Sequence, residues 1–201
     1  MAQTAGGAHR HEATGPAPSI PADARALLLA WSAPDSPQAF LRDEYVDFID
    51  RHADVHLRAS RIGHLTASAL VVDPAEGTTL LTLHPTVGRW LQTGGHIEAD
   101  DGSMLAAAAR EAREESGIGD LELDAVPLCL DRHEVSCKAD DGTRSPLQHW
   151  DVQFLALAAP GSVAVMSEES DDLRWWPLSQ LPDVDESVLR LARQAAYRLG
   201  I

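Results

Sequence analysis

From His64 to His84 the chain carries two apolar runs, HLTASALVVD and TTLLTLH, parted by Pro74-Ala-Glu-Gly77. The first alternates as a strand does, the tetrapeptide reads as a turn, and the second reads as a further strand. The residues beyond His84 narrow the fold sharply. Residues 86–95 form a loop with Gly88, Trp90 and a Gly94-Gly95 pair, and one clear helix runs from about Ser103 to Ser116, ended by Gly117. Its Ala106–Ala109 run favours helix and permits close packing. Strands are expected at 121–132 and 147–158, joined by a polar segment containing residues 138–142, then at 163–165 and 173–177. Val188, Leu189, Leu191, Ala192, Ala195, Ala196 and Leu199 make residues 185–199 an amphipathic helix. Strands, one helix, strands and a terminal helix predict a mixed α/β or α+β domain. The connections are not a regular βαβ series, and no GxGxxG follows a first strand, which excludes a dinucleotide-binding Rossmann domain.

Upstream the texture differs. Residues 1–19 are Ala, Gly, His, Pro and Thr without periodicity, and are expected to be a disordered tail. IPADARALLLAW (20–31) reads as a helix with Asp23 near its start. Ser36 beside Pro37 reads as the cap of another, with Phe40, Leu41, Tyr45, Phe48 and Ile49 at helical spacing behind it. Residues 20–60 are therefore expected to form an N-terminal extension of two or three helices, and 61–201 the main domain. Asp35, Asp43, Glu44, Asp47 and Asp50 read as the extension's solvated face.

Charge sets further limits. Asp plus Glu number 31 against 16 Lys plus Arg, a formal charge of -15. No basic stripe suits a phosphate backbone, which excludes nucleic-acid polymers as main partners. No run of 18 apolar residues exists, so no membrane span is expected, and the first 20 residues lack the apolar core of a signal peptide. A cytoplasmic address is the expectation. Cys129 and Cys137, eight residues apart, are expected to be buried or half-buried thiols. An anionic substrate would need a cation between itself and so many carboxylates.

The segment GGHIEADDGSMLAAAAREAREESGI (94–118) supplies a place for that cation. With Glu111 at the origin of a helical wheel, Glu114 falls near about -60° and Glu115 near about +40°. The three carboxylates share one face, with Leu105, Ala109 and Ala112 on an adjacent stripe suited to burial. Converging acids repel one another, a cost offset where a hard divalent ion takes oxygen ligands.

This segment resembles the signature box of the Nudix hydrolases. Arg110-Glu111-Ala112-Arg113-Glu114-Glu115-Ser116-Gly117-Ile118 matches the box's second half, and Gly95 matches its opening glycine. Gly95 to Arg110 is fifteen positions, one more than in the family, so the loop EADDGS carries an insertion and Asp100 or Asp101 must stand in for the box's early glutamate. The resemblance implies an αβα sandwich with a mixed sheet over the catalytic domain and Mg²⁺- or Mn²⁺-dependent hydrolysis of a phosphoanhydride in a nucleoside diphosphate derivative or related small diphosphate. It further implies Glu111, Glu114, Glu115 and the Gly95 carbonyl as metal ligands, with Arg110 steadying the carboxylates. For the general base it points to a box glutamate or to the later loop EESDDLRWWPL, where Glu169 is favoured over Glu168.

His96, His133, His149 and Trp90 are the candidates to line the substrate cleft; Trp150 stands with Trp90 as a stacking wall, core packing being favoured for both, His64 and His84 rank lower, and one of Trp175 and Trp176 is expected in the core. Two other readings stand beside the hydrolase. One is an isoprenoid-diphosphate enzyme of the same fold using Cys129 or Cys137; the other is a ligand-sensing or interaction protein without turnover. The N-terminal helices are expected either to cap the cleft or to support a homodimer.

Overall fold

The computed structural model describes residues 19–138, 144–167 and 170–201, without side chains for 136–138, 144 and 145. The tail expected over 1–19, except for Ser19, lies outside these residues, as do Glu168 and Glu169.

The central strand is β1 (Gly63–Asp73). It runs parallel to β7 (Arg144–Leu157) on one side and antiparallel to β2 (Thr78–His84) and β4 (Thr93–His96) on the other. Strand β2 also pairs β3 (Arg89–Leu91) and β8 (Asp172–Pro177), and β7 pairs β5 (Glu122–Leu123) and β6 (Cys129–Lys138). The result is one mixed eight-stranded sheet among the described residues.

Strand alternation sends successive side chains to opposite faces, and here each face has its own core. Leu65, Ala67, Ala69 and Val71 of β1 join Trp150, Val152, Phe154 and Ala156 of β7 in one cluster. Helices α1 (Ile20–Ala30), α2 (Ser36–Arg51) and α3 (Met104–Ser116) add Leu28, Tyr45, Phe48 and Ala108 to it. On the other face Leu70, Val72 and Leu155 meet Val188, Leu191 and Ala195 of α4 (Glu186–Leu199). Helices on both faces make the αβα sandwich that the sequence led one to expect.

The second face is apolar over only half its length. The interleaved positions nearer the start of β1 are His64, Thr66 and Ser68, and their register partners on β7 are His149, Asp151 and Gln153. All of these except His149 are buried. Here α4 covers the apolar half, and the polar half is the floor on which a site can form.

Helix α2 is tied to the sheet through polar contacts. The Gln38 side chain accepts from Leu130 N at 2.7 Å and donates to Leu130 O at 3.0 Å, meeting both outward backbone groups as a neighbouring strand would. Tyr45 donates its hydroxyl to Asp131 O at 2.6 Å, and the Trp31 indole donates to Pro127 O at 2.7 Å. Trp150 stacks on Phe48 with ring centroids 4.3 Å apart, which makes it a core residue.

Several local expectations change. Asp35, read as solvated surface, caps α2 by accepting from Gln38 N at 2.8 Å; Ser36 is the first helical residue. The single strand expected at 121–132 breaks around Pro127 into β5 and β6, since proline has no N–H for a ladder. Strands β6 and β7 then extend into the connector that was read as polar loop. Residues 163–165 form no strand: Val165 N donates instead to Ser116 O at the end of α3. The buried stripe of α3 is Met104, Ala107, Ala108 and Ala112, with Leu105 and Ala109 only half-buried at its margin. Cys129 is a buried free thiol, and Cys137 is eight residues along the same strand, about 26 Å away at strand rise.

Candidate active site

The carboxylate cluster is placed by α3, and α3 is placed by its N-terminus. Ser103 accepts from Ala106 N at 3.0 Å, and Asp23 of α1 accepts from Met104 N at 2.8 Å. Two of the N–H groups that a helix start leaves without intrahelical partners are thereby satisfied, one of them by the extension. Alanines on the buried stripe let α3 lie close to β1 and β4.

That closeness explains Gly95, while the paired strand β1 explains Gly94. A Cβ on Gly95 would lie 2.4 Å from Glu111 Oε1, and one on Gly94 would lie 2.3 Å from Ser68 Cβ. Any side chain at Gly95 would take the space of the Glu111 carboxylate. The residues fit an all-oxygen cation cradle: a half-buried carboxylate set against bare backbone, with further carboxylates along the same helix.

Arg110 binds the cluster together. Its Nη1 lies 3.0 Å from Glu111 Oε1 and 3.0 Å from Glu114 Oε2, and its Nη2 donates to His96 O at 3.0 Å. Nε and Nη2 donate to the two oxygens of Asp101 at 3.2 and 3.0 Å. Asp101 also accepts from Glu98 N at 2.8 Å, closing the inserted loop on itself. Of the two aspartates considered for the missing box glutamate, Asp101 pairs with Arg110 and Asp100 is exposed. The Asp101 hydrogen bond foremost, with Glu111 and Glu114, pushes the Arg110 pKa further up, so it stays a cation.

On the other side of β4 lies a row of imidazoles. Gly95 is in register with Ala67, on the α3 face, and His96 with Thr66, on the polar face. His64 pairs in register with His149, and His149 with His133. His64, His96 and His149 bring one ligand atom each to within 4.8 Å of one another, a group able to hold a divalent metal ion. Burial foremost, with Arg58 and His64 beside His96 and the neighbouring imidazoles beside His149, pushes His96 down to about 4 and His149 down to about 3, so both are neutral at physiological pH. Beside them, burial raises the pKa of Asp151, which accepts from Ser68 at 2.6 Å and Thr66 at 3.1 Å. Burial works against the Asp131 charge too, but hydrogen bonds from His133 and Arg190, each at 2.8 Å, hold its carboxyl below the usual value.

The expected site residues thus fall into two groups. Gly95, Arg110, Glu111 and Glu114 meet at the α3 cradle, with Glu115 on the same helix. His96, His133 and His149 share the polar face. Trp90 packs edge-on against Trp176 at 5.4 Å beside the α4 core, and Glu169 lies outside the described residues. His64 ranked low in the sequence and belongs with His96 and His149. The signal was its phase: it leads the His64, Thr66, Ser68 series that alternates with Leu65, Ala67 and Ala69.

The model of the NUDIX domain family matches residues 63–196. Among solved structures, a NUDIX-family hydrolase from Clostridium perfringens is 24% identical, with a TM-score of 0.50 over 68% of this chain and 98% of its own. The E. coli dihydroneopterin triphosphate pyrophosphohydrolase is 16% identical, with a TM-score of 0.51 over 67% of this chain and 95% of its own. These two likenesses show the fold. No curated protein matches the chain. Among the described residues no helix is long and apolar enough to cross a membrane.

Proposed function

This chain belongs to the NUDIX family and is a Nudix-type hydrolase of phosphoanhydrides, and on that premise we propose that it cleaves a nucleoside diphosphate derivative with Mg²⁺ or Mn²⁺. The observation that carries the reading is Arg110 holding Glu111 and Glu114 beside the bare backbone of Gly95. Glu111, Glu114, Glu115 and the Gly95 carbonyl would hold the ion, and hard oxygen donors suit either metal. When bound, such an ion neutralises phosphate charge and makes water a better nucleophile.

The chain's own groups do the rest. Arg110 keeps the carboxylates in place through its contacts to loop, strand and helix. Water adds to one phosphorus, the bond from that phosphorus to the bridging oxygen breaks, and the second phosphoryl group leaves with that oxygen. To Glu169 we assign the proton released by the water. His96, His133 and His149 are assigned to the wall that receives the remainder of the substrate. We assign residues 61–201 to the catalytic domain and 20–60 to a helical extension, consistent with a family match that starts at 63. Against an isoprenoid enzyme using Cys129 stands its thiol, which burial pushes up to about 11, too high for a ready thiolate.

The test is a panel of nucleoside diphosphate derivatives and isoprenoid diphosphates, assayed with Mg²⁺ and with Mn²⁺ beside Glu114→Gln and Glu115→Gln. Turnover of a nucleotide member is expected. Each variant should lose on the order of 100-fold or more in kcat, since even groups that only orient metal ligands matter by 10–100-fold. Turnover confined to isoprenoid diphosphates, or indifferent to both substitutions, would refute the proposal.

A further inference from the structure

The three imidazoles on the polar face are oriented for more than packing. His64 Nε2 lies 3.0 Å from the Ser60 carbonyl oxygen. A carbonyl only accepts, so Nε2 carries a proton and the ring is held with Nδ1 turned toward its neighbour. Nδ1 lies 3.2 Å from His96 Nε2, a hydrogen bond between two ring nitrogens whose shared proton a metal ion would replace. His149, opposite His64 in the parallel register, completes the group with its ring centroid 4.8 Å from that of His96 and 5.7 Å from that of His64.

The spacing fits a metal. Tetrahedral zinc with Zn–N near 2.0–2.1 Å holds neighbouring ligand nitrogens about 3.3 Å apart, and the His64–His96 pair is already there. Bringing the third ligand atom in from within 4.8 Å needs a shift of about 1.5 Å at most, within reach of a ring rotation. Anchoring of the far ring nitrogen on a backbone carbonyl, as at His64 and Ser60, is the outer support that metal-bound histidines use. The ligands sit on β1, β4 and β7, hydrogen-bonded strands that fix their separation.

The donor set decides the metal. All three donors are nitrogen, and the nearest acids are engaged elsewhere: Asp151 with Thr66 and Ser68, Asp131 with His133 and Arg190. Mg²⁺ takes oxygen, whereas imidazole suits Zn²⁺ and its neighbours. We propose that His64, His96 and His149 form a second metal site, selective for Zn²⁺, on the opposite face of β4 from the carboxylate cradle. Three neutral ligands leave the ion its full double charge and a fourth position open to water or an anionic oxygen. In a chain of formal charge -15, that places a cationic centre on the face assigned to an anionic substrate.

The test reads binding, so it stands or falls apart from any turnover assay. Full-length protein stripped with chelator is titrated with Co²⁺ and then Zn²⁺, beside His96→Gln, His149→Gln, Glu114→Gln and a variant with His9 and His11 both changed to Ala. One equivalent of Co²⁺ should give the visible d–d bands of a four-coordinate nitrogen site, and Zn²⁺ should erase them. His96→Gln and His149→Gln should each weaken Zn²⁺ binding by at least about 100-fold. Glu114→Gln and the His9/His11 variant should bind as the parent does. X-ray absorption at the zinc edge of the parent should show three imidazole nitrogens, a readout that needs no variant to fold. Absence of stoichiometric binding, binding lost in Glu114→Gln or in the His9/His11 variant, or a carboxylate-dominated zinc shell would each overturn the site.

Discussion

Asp101 holds Arg110 with both carboxylate oxygens, at 3.2 and 3.0 Å, although it sits in a loop one residue longer than the box it belongs to. The pair shows how an insertion is absorbed. The loop hydrogen-bonds across itself between Glu98 and Asp101 and delivers a carboxylate to the arginine that gathers the cluster. An aspartate two atoms from the backbone suffices because Arg110 extends to meet it and touches His96 O on the way.

Asp101→Asn is therefore expected to cost stability and activity together, while Asp100→Asn changes little. Removing a hydrogen-bonded charge at a side chain 6% exposed should cost about 1.5–3 kcal/mol, and the exposed Asp100 less than about 0.5 kcal/mol. Urea denaturation of the two variants measures the contrast. Equal losses would mean that Arg110 does not depend on Asp101.

Gly95→Ala separates the cradle from the fold. The new Cβ would stand 2.4 Å from Glu111 Oε1, so the carboxylate must swing away. Apparent Mg²⁺ affinity in the hydrolysis assay should fall by about 10–100-fold. The move also loosens the Glu111–Arg110 pair, whose carboxylate is 12% exposed, so a fall in Tm of only about 2–4 °C should accompany it. A large fall in Tm with unchanged metal dependence would contradict this.

Gln38→Ala should destabilise the chain without touching the cradle. It leaves the backbone N–H and C=O of Leu130 buried and unpaired, at about 1–3 kcal/mol each. Gln38→Glu keeps the acceptor but sets a buried carboxylate oxygen against the Leu130 carbonyl, so its loss at neutral pH should be at least as large. Denaturant midpoints of the three proteins give the order directly.

The Asp131–His133 pair gives stability a pH dependence. The hydrogen bond to Asp131 raises the His133 pKa above 6.5, so its contribution is full below that value and fades as pH rises through the folded pKa. Asp131, held below 3.8, loses its share only as pH falls through its own lowered value. The stability difference between the parent and His133→Gln should accordingly be larger near about pH 6 than near about pH 9. Chemical denaturation at the two pH values decides it; a difference that grows with pH would reverse the sign.

Local patterning in the chain determined a good deal. Alternation in HLTASALVVD, the Ala-rich helix and the amphipathic C-terminal stretch set the elements, because periodicity records which side of each element is buried. Glu111, Glu114 and Glu115 were legible as a group because helical spacing alone puts them on one surface, and Arg110 through the resemblance to the box. Tertiary structure decided what depends on partners far along the chain. Asp101 rather than Asp100 reaches Arg110 because the loop folds back at Glu98. Gln38 serves as the partner of Leu130, and Asp23 satisfies Met104 N, across 92 and 81 residues. His64, His96 and His149 are strangers in sequence and become neighbours only through strand register, which is fixed by pairing across the sheet and not by any local preference.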